Sequence, residues 1–313
     1  MELSELFAGK RPFLYAILPK EINAERTAKL VFIDDNPEDV FISEFPRSSS
    51  KKLMAPSQNE YQDLVRLAIE TIRNGAFKKV VTSRIKQIEA SINKIELLQK
   101  MTSAYPHAFI YAHKSAEGAC WLGATPELLL HKRGKHYRTV SLAGTQKLIP
   151  ELALEKYKWG EKEIEEQQLV TDFISTELKN SGCTEVKVSS PFTTAAGNLV
   201  HRKSFIEFEC DLTTKKLVEI LHPTPAICGL PRIPSLEFIL KNEPHQRSLY
   251  SGVIGFNYPN GDADLFINLR CMRIENNRAD IFVGGGITAN SIPENEWLET
   301  ELKSKTLLSL IGL

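Results

Sequence analysis

The stretch from Glu155 to Lys179 carries Leu169, Val170, Phe173, Ile174 and Leu178 at intervals of three and four residues. That spacing predicts one long helix with an apolar stripe, and such a stripe needs a broad surface to cover. Short strand-like runs supply one. They fall at Lys79 to Arg84, Ala108 to His113, Ala119 to Gly123, Glu127 to His131, Val186 to Ser189 and Ser204 to Cys210. Further on, Ser251 to Asn257 and a single run Asp264 to Ile274 flank the turn signal Asn260-Gly261. Asn276-Asn277 turns a second hairpin into Asp280 to Val283. Helices are predicted at Asn59 to Asn74, around Lys215 to Leu221 and Ser235 to Lys241, and from Pro293 to Leu310. Hairpins joined by long helices make an α+β sandwich of sheet and helix. The stretch Phe45 to Pro56, rich in Ser, Lys and Pro, reads as a linker between an N-terminal piece and the main body.

Two of these helices place acids where apolar side chains belong. Stepping back along the stripe from Leu169 and Val170 reaches Glu166, and one further step reaches Glu163. In the last helix Ser291-Ile292-Pro293-Glu294 reads as a capping-box start. Glu296, Glu299 and Lys303 then fall on the line that continues into Leu307 and Leu310. A buried carboxylate without a partner is costly, so two Glu-x-x-Glu pairs on two helices suit one hard cation. An all-oxygen donor set suits Mg²⁺. Solvated helix faces with i,i+4 salt bridges are the alternative.

Other features carry two readings each. Gly284-Gly285-Gly286 follows a strand and offers either backbone N–H groups to an anion or a tight strand exit. Arg270 sits in the predicted strand Leu265 to Met272, where it faces either a ligand or solvent. Lys79 in its Val-rich strand poses the same question. His222, between Leu221 and Pro223, reads as a structural histidine.

The totals exclude several classes of partner. Lys plus Arg and Asp plus Glu both number 39, so no basic excess points to nucleic acid or an anionic membrane. The apolar run Phe13 to Leu18 is too short for a signal-peptide core or a membrane span. The five cysteines are odd in number, widely spaced and free of CxxC pairs, which predicts reduced thiols in a cytoplasmic protein.

From about Tyr61 to Leu310 the chain resembles the chorismate-utilising enzymes, a family that includes isochorismate, salicylate, anthranilate and aminodeoxychorismate synthases. The resemblance rests on Lys79-Val80-Val81-Thr82-Ser83-Arg84, Gly123-Ala124-Thr125-Pro126-Glu127-Leu128-Leu129, Ala143-Gly144-Thr145 and Lys162-Glu163-Ile164-Glu165-Glu166-Gln167. It continues through His222-Pro223-Thr224-Pro225-Ala226, Tyr250-Ser251-Gly252, Leu269-Arg270, Gly284-Gly285-Gly286-Ile287 and Pro293 to Thr300 with Lys303. The family's usual Gly-Ala-Gly-Ile is Gly-Gly-Gly-Ile here. The resemblance implies a single α+β domain of two large antiparallel sheets flanked by helices. Residues 56–313 would form the chorismate-binding catalytic domain, with 1–55 a shortened N-terminal segment packed on it.

The resemblance also implies roles. Glu166 and Glu299 match direct Mg²⁺ ligands, with Glu163 and Glu296 holding metal-bound waters. Arg270 and Tyr250 match residues that hold the enolpyruvyl carboxylate, aided by the N–H groups of Gly284 to Gly286. Gly144, Thr145, His222 and Lys303 match further substrate contacts. Lys79 would activate water to attack C2 of chorismate, and Glu127 would protonate the departing C4 hydroxyl. Ammonia-using members usually carry Gln where Lys79 stands, and aminodeoxychorismate synthases usually carry Lys where Ala143 stands. The expected branch is therefore isochorismate synthase, an isomerase serving menaquinone or siderophore biosynthesis, with no glutamine amidotransferase subunit. The competing expectations are a salicylate synthase, which goes on to eliminate pyruvate, and a non-catalytic chorismate-binding protein. An unrelated Mg²⁺ phosphotransferase would need a phosphate-loop motif that the sequence lacks.

Overall fold

The computed structural model describes residues 2–47, 53–196 and 199–313. In chain order, α1 (Leu3–Ala8), β1 (Phe13–Ile17), β2 (Ala28–Phe32) and β3 (Val40–Ser43) lead into α2 (Gln58–Arg73), β4 (Lys79–Glu89) and α3 (Lys94–Ala104). Then come β5 (Phe109–Lys114), β6 (Cys120–Thr125), β7 (Leu128–Arg133), β8 (His136–Lys147) and the long helix α4 (Glu161–Asn180). Strands β9 (Thr184–Val188), β10 (Phe192–Ala196) and β11 (Leu199–Glu209) precede α5 (Thr214–Leu221), β12 (Gly229–Leu230) and α6 (Arg232–Asn242). The last elements are β13 (Val253–Asn257), β14 (Ala263–Ile267), β15 (Cys271–Glu275), β16 (Arg278–Ile287) and α7 (Pro293–Leu308).

The strands form the two antiparallel sheets that were expected. One runs β12-β4-β16-β15-β6-β5-β1-β2, and the other β10-β11-β8-β7-β14-β13-β3 with β9 paired to β11. Aromatic side chains fill the space between them. Phe109 of the first sheet stacks on Phe266 of the second with ring centroids 4.4 Å apart, and Trp121, Phe256 and Phe282 join the same cluster. Helix α3 covers the outer face of the first sheet with Leu97, Leu98 and Met101. Helix α4 covers the second with Val170, Ile174 and Leu178, the stripe read from spacing.

Four local readings are corrected. Helix α4 begins at Glu161, not Glu155. The preceding segment makes only a single 3-10 turn at Leu154–Lys156, after which Trp159 Nε1 donates to Thr193 Oγ1 at 3.0 Å and the Lys158 carbonyl accepts from Gln146 Nε2 at 2.9 Å, so tertiary bonds hold the chain up to the helix. Ser291 does not cap α7. The N-cap is Ile292, Pro293 brings no N–H to satisfy, and the Ser291 hydroxyl accepts instead from Thr288 N at 3.1 Å. Phe45, placed at the start of a linker, is buried in the core beneath Arg247. Residues 48–52 of that linker lie outside the described residues.

The fourth correction positions the site. The run Asp264 to Ile274 is two strands in different sheets, β14 in the second and β15 in the first. The chain crosses between them at Asn268 to Arg270. Arg270 takes a left-handed backbone with φ 48°, a conformation that costs a non-glycine residue about 1 kcal/mol or more. Buried Asn268 anchors the crossing. Its Oδ1 accepts from Tyr111 OH at 2.7 Å, and its Nδ2 donates to the Leu249 carbonyl at 3.0 Å. A second crossing lies alongside, at Pro126 and Glu127 between β6 and β7. The two are tied together by Ala124 N to the Arg270 carbonyl at 3.1 Å and Ile267 N to the Glu127 carbonyl at 2.9 Å.

Helix α7 is fastened to β4 by a buried arginine. Arg84, 2% exposed, donates from Nε to Thr300 Oγ1 at 2.8 Å, pairs with Glu301, and lies 3.8 Å over the Trp297 ring. Truncating a buried cation leaves its partners unmatched, an effect that costs about 3 kcal/mol. Arg84→Ala should therefore lower the unfolding free energy by about that amount in a urea titration. A change under about 0.5 kcal/mol would contradict the role assigned to it.

Candidate active site

The paired crossings deliver two charged groups to the seam between the sheets. Glu127 is 4% exposed, and its N–H donates to Thr125 Oγ1 at 3.3 Å. Burial pushes its carboxyl up to about 8, against the opposing pull of Lys203, Arg270 and Lys79. At neutral pH it is therefore largely a neutral acid. Burial lowers Arg270, which stays a cation because guanidinium cannot be deprotonated in this range. Its Nη1 is buried with no hydrogen-bond partner. A buried, unsatisfied guanidinium N–H is costly unless an anion arrives to accept it.

Strands β4 and β16 supply the next wall. Their register sets Gly284 against Ser83 and Gly286 against Val81. The glycine run thus lies inside β16, not beyond a strand as the sequence suggested. Pairing of β16 with β15 stops at Ile281, so the far edge of the run faces the cavity. Side chains are kept out of this run most firmly at Gly284, where a Cβ would lie 2.6 Å from the Thr82 carbonyl oxygen. A Cβ on Gly286 would lie 2.8 Å from Lys79 Cε, and one on Gly284 would lie 2.9 Å from the Tyr250 hydroxyl. Lys79 is 4% exposed, and its carbonyl accepts from Ser235 Oγ at 3.0 Å, which fixes the strand start from which it projects. Tyr250 stacks on Phe282 with centroids 5.5 Å apart, and burial pushes its hydroxyl up to about 12.

The acid-bearing helices close the space. Glu166 Oε1 lies 3.9 Å from the Gly286 Cβ position. Glu296 Oε2 and Glu299 Oε1 lie 3.4 and 3.5 Å from that of Gly285, and Glu163 packs against Gly144 and Gly160. Lys303 pairs with Glu299 at 2.6 Å and donates to the Gly284 carbonyl at 2.8 Å. Among the described residues no three His, Cys, Asp or Glu side chains converge tightly enough to chelate a cation unaided. The four glutamates are oxygen donors of the type a hard cation takes, gathered in two pairs beside one glycine run.

Together these groups surround one cavity. Of the residues singled out in the sequence, Lys79, Glu127, Gly144, Thr145, Glu166, Tyr250, Arg270, Gly284, Gly286, Glu299 and Lys303 line it. Glu163, Glu296 and His222 do not. His222 sits one layer back, where its Nε2 donates to the Ser251 carbonyl at 2.7 Å and so braces a wall residue. The sequence reading missed His201, which lines the cavity. Its Nδ1 donates to the Gly144 carbonyl at 2.9 Å, and burial holds it down at about 3, so the ring is neutral. Its Nε2 is buried and unpartnered. The available signal was a histidine in the apolar strand run Leu199-Val200-His201.

A neutral buried acid, a buried lysine and an unsatisfied guanidinium around one cavity define a site for acid–base chemistry on a small carboxylated molecule. The chain belongs to the chorismate binding enzyme family, which it matches over residues 20–312. It is 30% identical to the isochorismate synthase EntC of Escherichia coli K12, over 86% of this chain and 72% of that one. It is 27% identical to the isochorismate synthase DhbC of Bacillus subtilis, over 82% and 69%. Among solved structures, the DhbC protein of Bacillus anthracis, described as a 2,3-dihydroxybenzoate-specific isochorismate synthase, superposes with a TM-score of 0.79. That match has 25% identity and covers 99% of this chain and 86% of that one. The menaquinone-specific isochorismate synthase MenF of Escherichia coli gives 0.77 at 25% identity, over 84% and 64%.

The raised Glu127 pKa has a consequence for stability. The folded state binds the proton more tightly than the unfolded chain, so this group's contribution is full below about 4.5 and is lost as pH rises through about 8. Glu127→Gln removes that loss. In urea titrations the variant should match wild type near pH 4 and exceed it at pH 8.5. Parallel curves at both pH values would mean that Glu127 is not a buried neutral acid.

Proposed function

We propose that the protein is an isochorismate synthase, converting chorismate to isochorismate by adding water at C2 and releasing the C4 hydroxyl as water. The observation that carries this is the presence of Lys79 and Glu127 in the lining of one cavity, with Glu127 held protonated. The reaction needs a base at one carbon and an acid at another. Lys79 takes a proton from the attacking water, the new C2–O bond forms, the ring double bonds shift, and the C4–O bond breaks as Glu127 gives its proton to the leaving hydroxyl. In the reverse direction the two exchange roles. Arg270 and Tyr250 are suited to the enolpyruvyl carboxylate, since Arg270 Nη1 has no partner of its own.

Charge balance supports a metal. The charged wall residues are Lys79, Arg270 and Lys303 against Glu127, Glu166 and Glu299. With Glu127 protonated and Lys79 set aside as the base that must accept a proton, Arg270 and Lys303 are cancelled by Glu166 and Glu299, which leaves no positive charge to offset a dianionic substrate. Glu166 and Glu299, with Glu163 and Glu296 behind them, would hold Mg²⁺, whose charge offsets that of the ring carboxylate. The substrate carboxylate and water would complete the donor set that the side chains leave open.

Lys79 and Ala143 support water rather than ammonia as the nucleophile, so no amidotransferase partner is needed. No described helix is long and apolar enough to cross a membrane.

Incubation with chorismate and Mg²⁺, with products identified by NMR, should give isochorismate without pyruvate. Release of pyruvate and salicylate would assign the other branch, and anthranilate formed with ammonium would overturn both. Lys79→Ala and Glu127→Gln should each lower kcat by about 10²–10⁴-fold while chorismate still binds. Near-normal turnover in either variant sinks the assignment. Removing divalent metal with EDTA should abolish turnover and Mg²⁺ should restore it. Full activity in metal-free buffer would dismiss the metal.

A further inference from the structure

We propose that Lys203 is a positioning residue for this reaction, stabilising from strand β11 the carboxylate that Glu127 becomes when it gives up its proton. This rests on the reading of Glu127 as the general acid. Lys203 pairs directly with Leu142 in the antiparallel register, and Leu142 lines the cavity. Residues directly opposite one another project from the same face of a sheet, so Lys203 points into the space between the sheets. Phe205, two residues on, shares that face, and Lys203 Nζ lies 4.8 Å over its ring. On the other side of β11 Lys203 pairs with Phe192, whose ring packs on Phe205 with centroids 5.4 Å apart. Aromatic rings therefore hold this half-buried ammonium on the cavity side of the sheet.

The groups that Lys203 senses are Glu21, Glu127 and Arg138, and burial lowers its own pKa. Those that Glu127 senses are Lys203, Arg270 and Lys79, with Lys203 exerting the strongest pull of the three. The other two have other tasks in the proposed reaction. Arg270 faces a substrate carboxylate that neutralises it, and Lys79 exchanges a proton with water. Lys203 has no such task. When the proton passes from Glu127 to the C4 hydroxyl, the C4–O bond breaks, water departs, and the Glu127 carboxylate is left within the pull of Lys203. An acid whose conjugate base is stabilised this way gives up its proton more readily.

The test follows the Glu127 carboxyl directly, by ¹³C NMR of glutamate-labelled enzyme, without relying on turnover. In Lys203→Met that carboxyl should titrate higher than in wild type, by about half a unit or more, and Lys203→Arg should restore the wild-type value. With chorismate, Lys203→Met should lower kcat about tenfold and leave KM within about twofold. The double variant Glu127→Gln with Lys203→Met should be no slower than Glu127→Gln alone, because Lys203 acts only through that acid. An unchanged Glu127 titration in Lys203→Met overturns the inference whatever the activity. So does a double variant markedly slower than Glu127→Gln. Failure of the wild-type enzyme to turn over chorismate would instead strike the proposed function, and the NMR titration would still decide the place of Lys203.

Discussion

The structure depends on two chain crossings that run side by side between its sheets. At Pro126-Glu127 the chain leaves the first sheet for the second, and at Asn268 to Arg270 it returns. The hydrogen bonds between them make each the template of the other. Backbone polar groups at such a switch have left their ladders and must find partners in a buried place. Asn268 supplies them with its side-chain amide, and its N–H donates to the Gly252 carbonyl at 2.8 Å. The cost in local strain falls on Arg270 and on Ser251, at φ 48° and 59°. Both strained residues line the cavity. The backbone that is hardest to hold is the backbone that brings Glu127 and Arg270 to the cavity.

Burial acts on the site in two directions. It keeps Glu127 protonated and His201 neutral, because a low dielectric penalises the charged form of either group. It cannot neutralise Arg270, so the cavity keeps a buried guanidinium whose Nη1 has no hydrogen-bond partner. A zero net charge for the whole chain conceals this local arrangement. The glycines of β16 act by what they lack, since side chains at 284 and 286 would stand where Tyr250 and Lys79 now reach.

Much of this was legible in the sequence, and the rest was hidden for physical reasons. Helix α2 was visible from its spacing, and the structure adds the capping box that Ser57 and Glu60 form at its start. The hairpins at Asn260-Gly261 and Asn276-Asn277 were visible from turn chemistry. The split between β14 and β15 was not. Asp264 to Ile274 contains neither glycine nor proline, and it is tertiary hydrogen bonding, not local preference, that forces Arg270 into the left-handed region. Helix spacing led from Val170 back to the glutamates, but the seam also passes through Gln167. Its amide donates to Ser141 and Ser204 hydroxyls at 2.8 and 3.1 Å and roots α4 on the second sheet. His201 escaped because a lone histidine in a strand has no spacing partner. The family resemblance named most of the cavity wall, and only coordinates show that His222 stands behind it.

The crossings also limit how chain length can vary. Side chains alternate faces with a period of two, so one residue inserted at Asn268 to Arg270 would turn the whole of β15 over relative to its neighbours. A single deletion between Thr125 and Leu128 would do the same to β7. The tip between β13 and β14, where Asn260 and Gly261 meet solvent, has no such restriction. By the same rule, insertions, tags or new chain ends should be accommodated at that exposed tip, and a change of length should cost most at the switch between sheets.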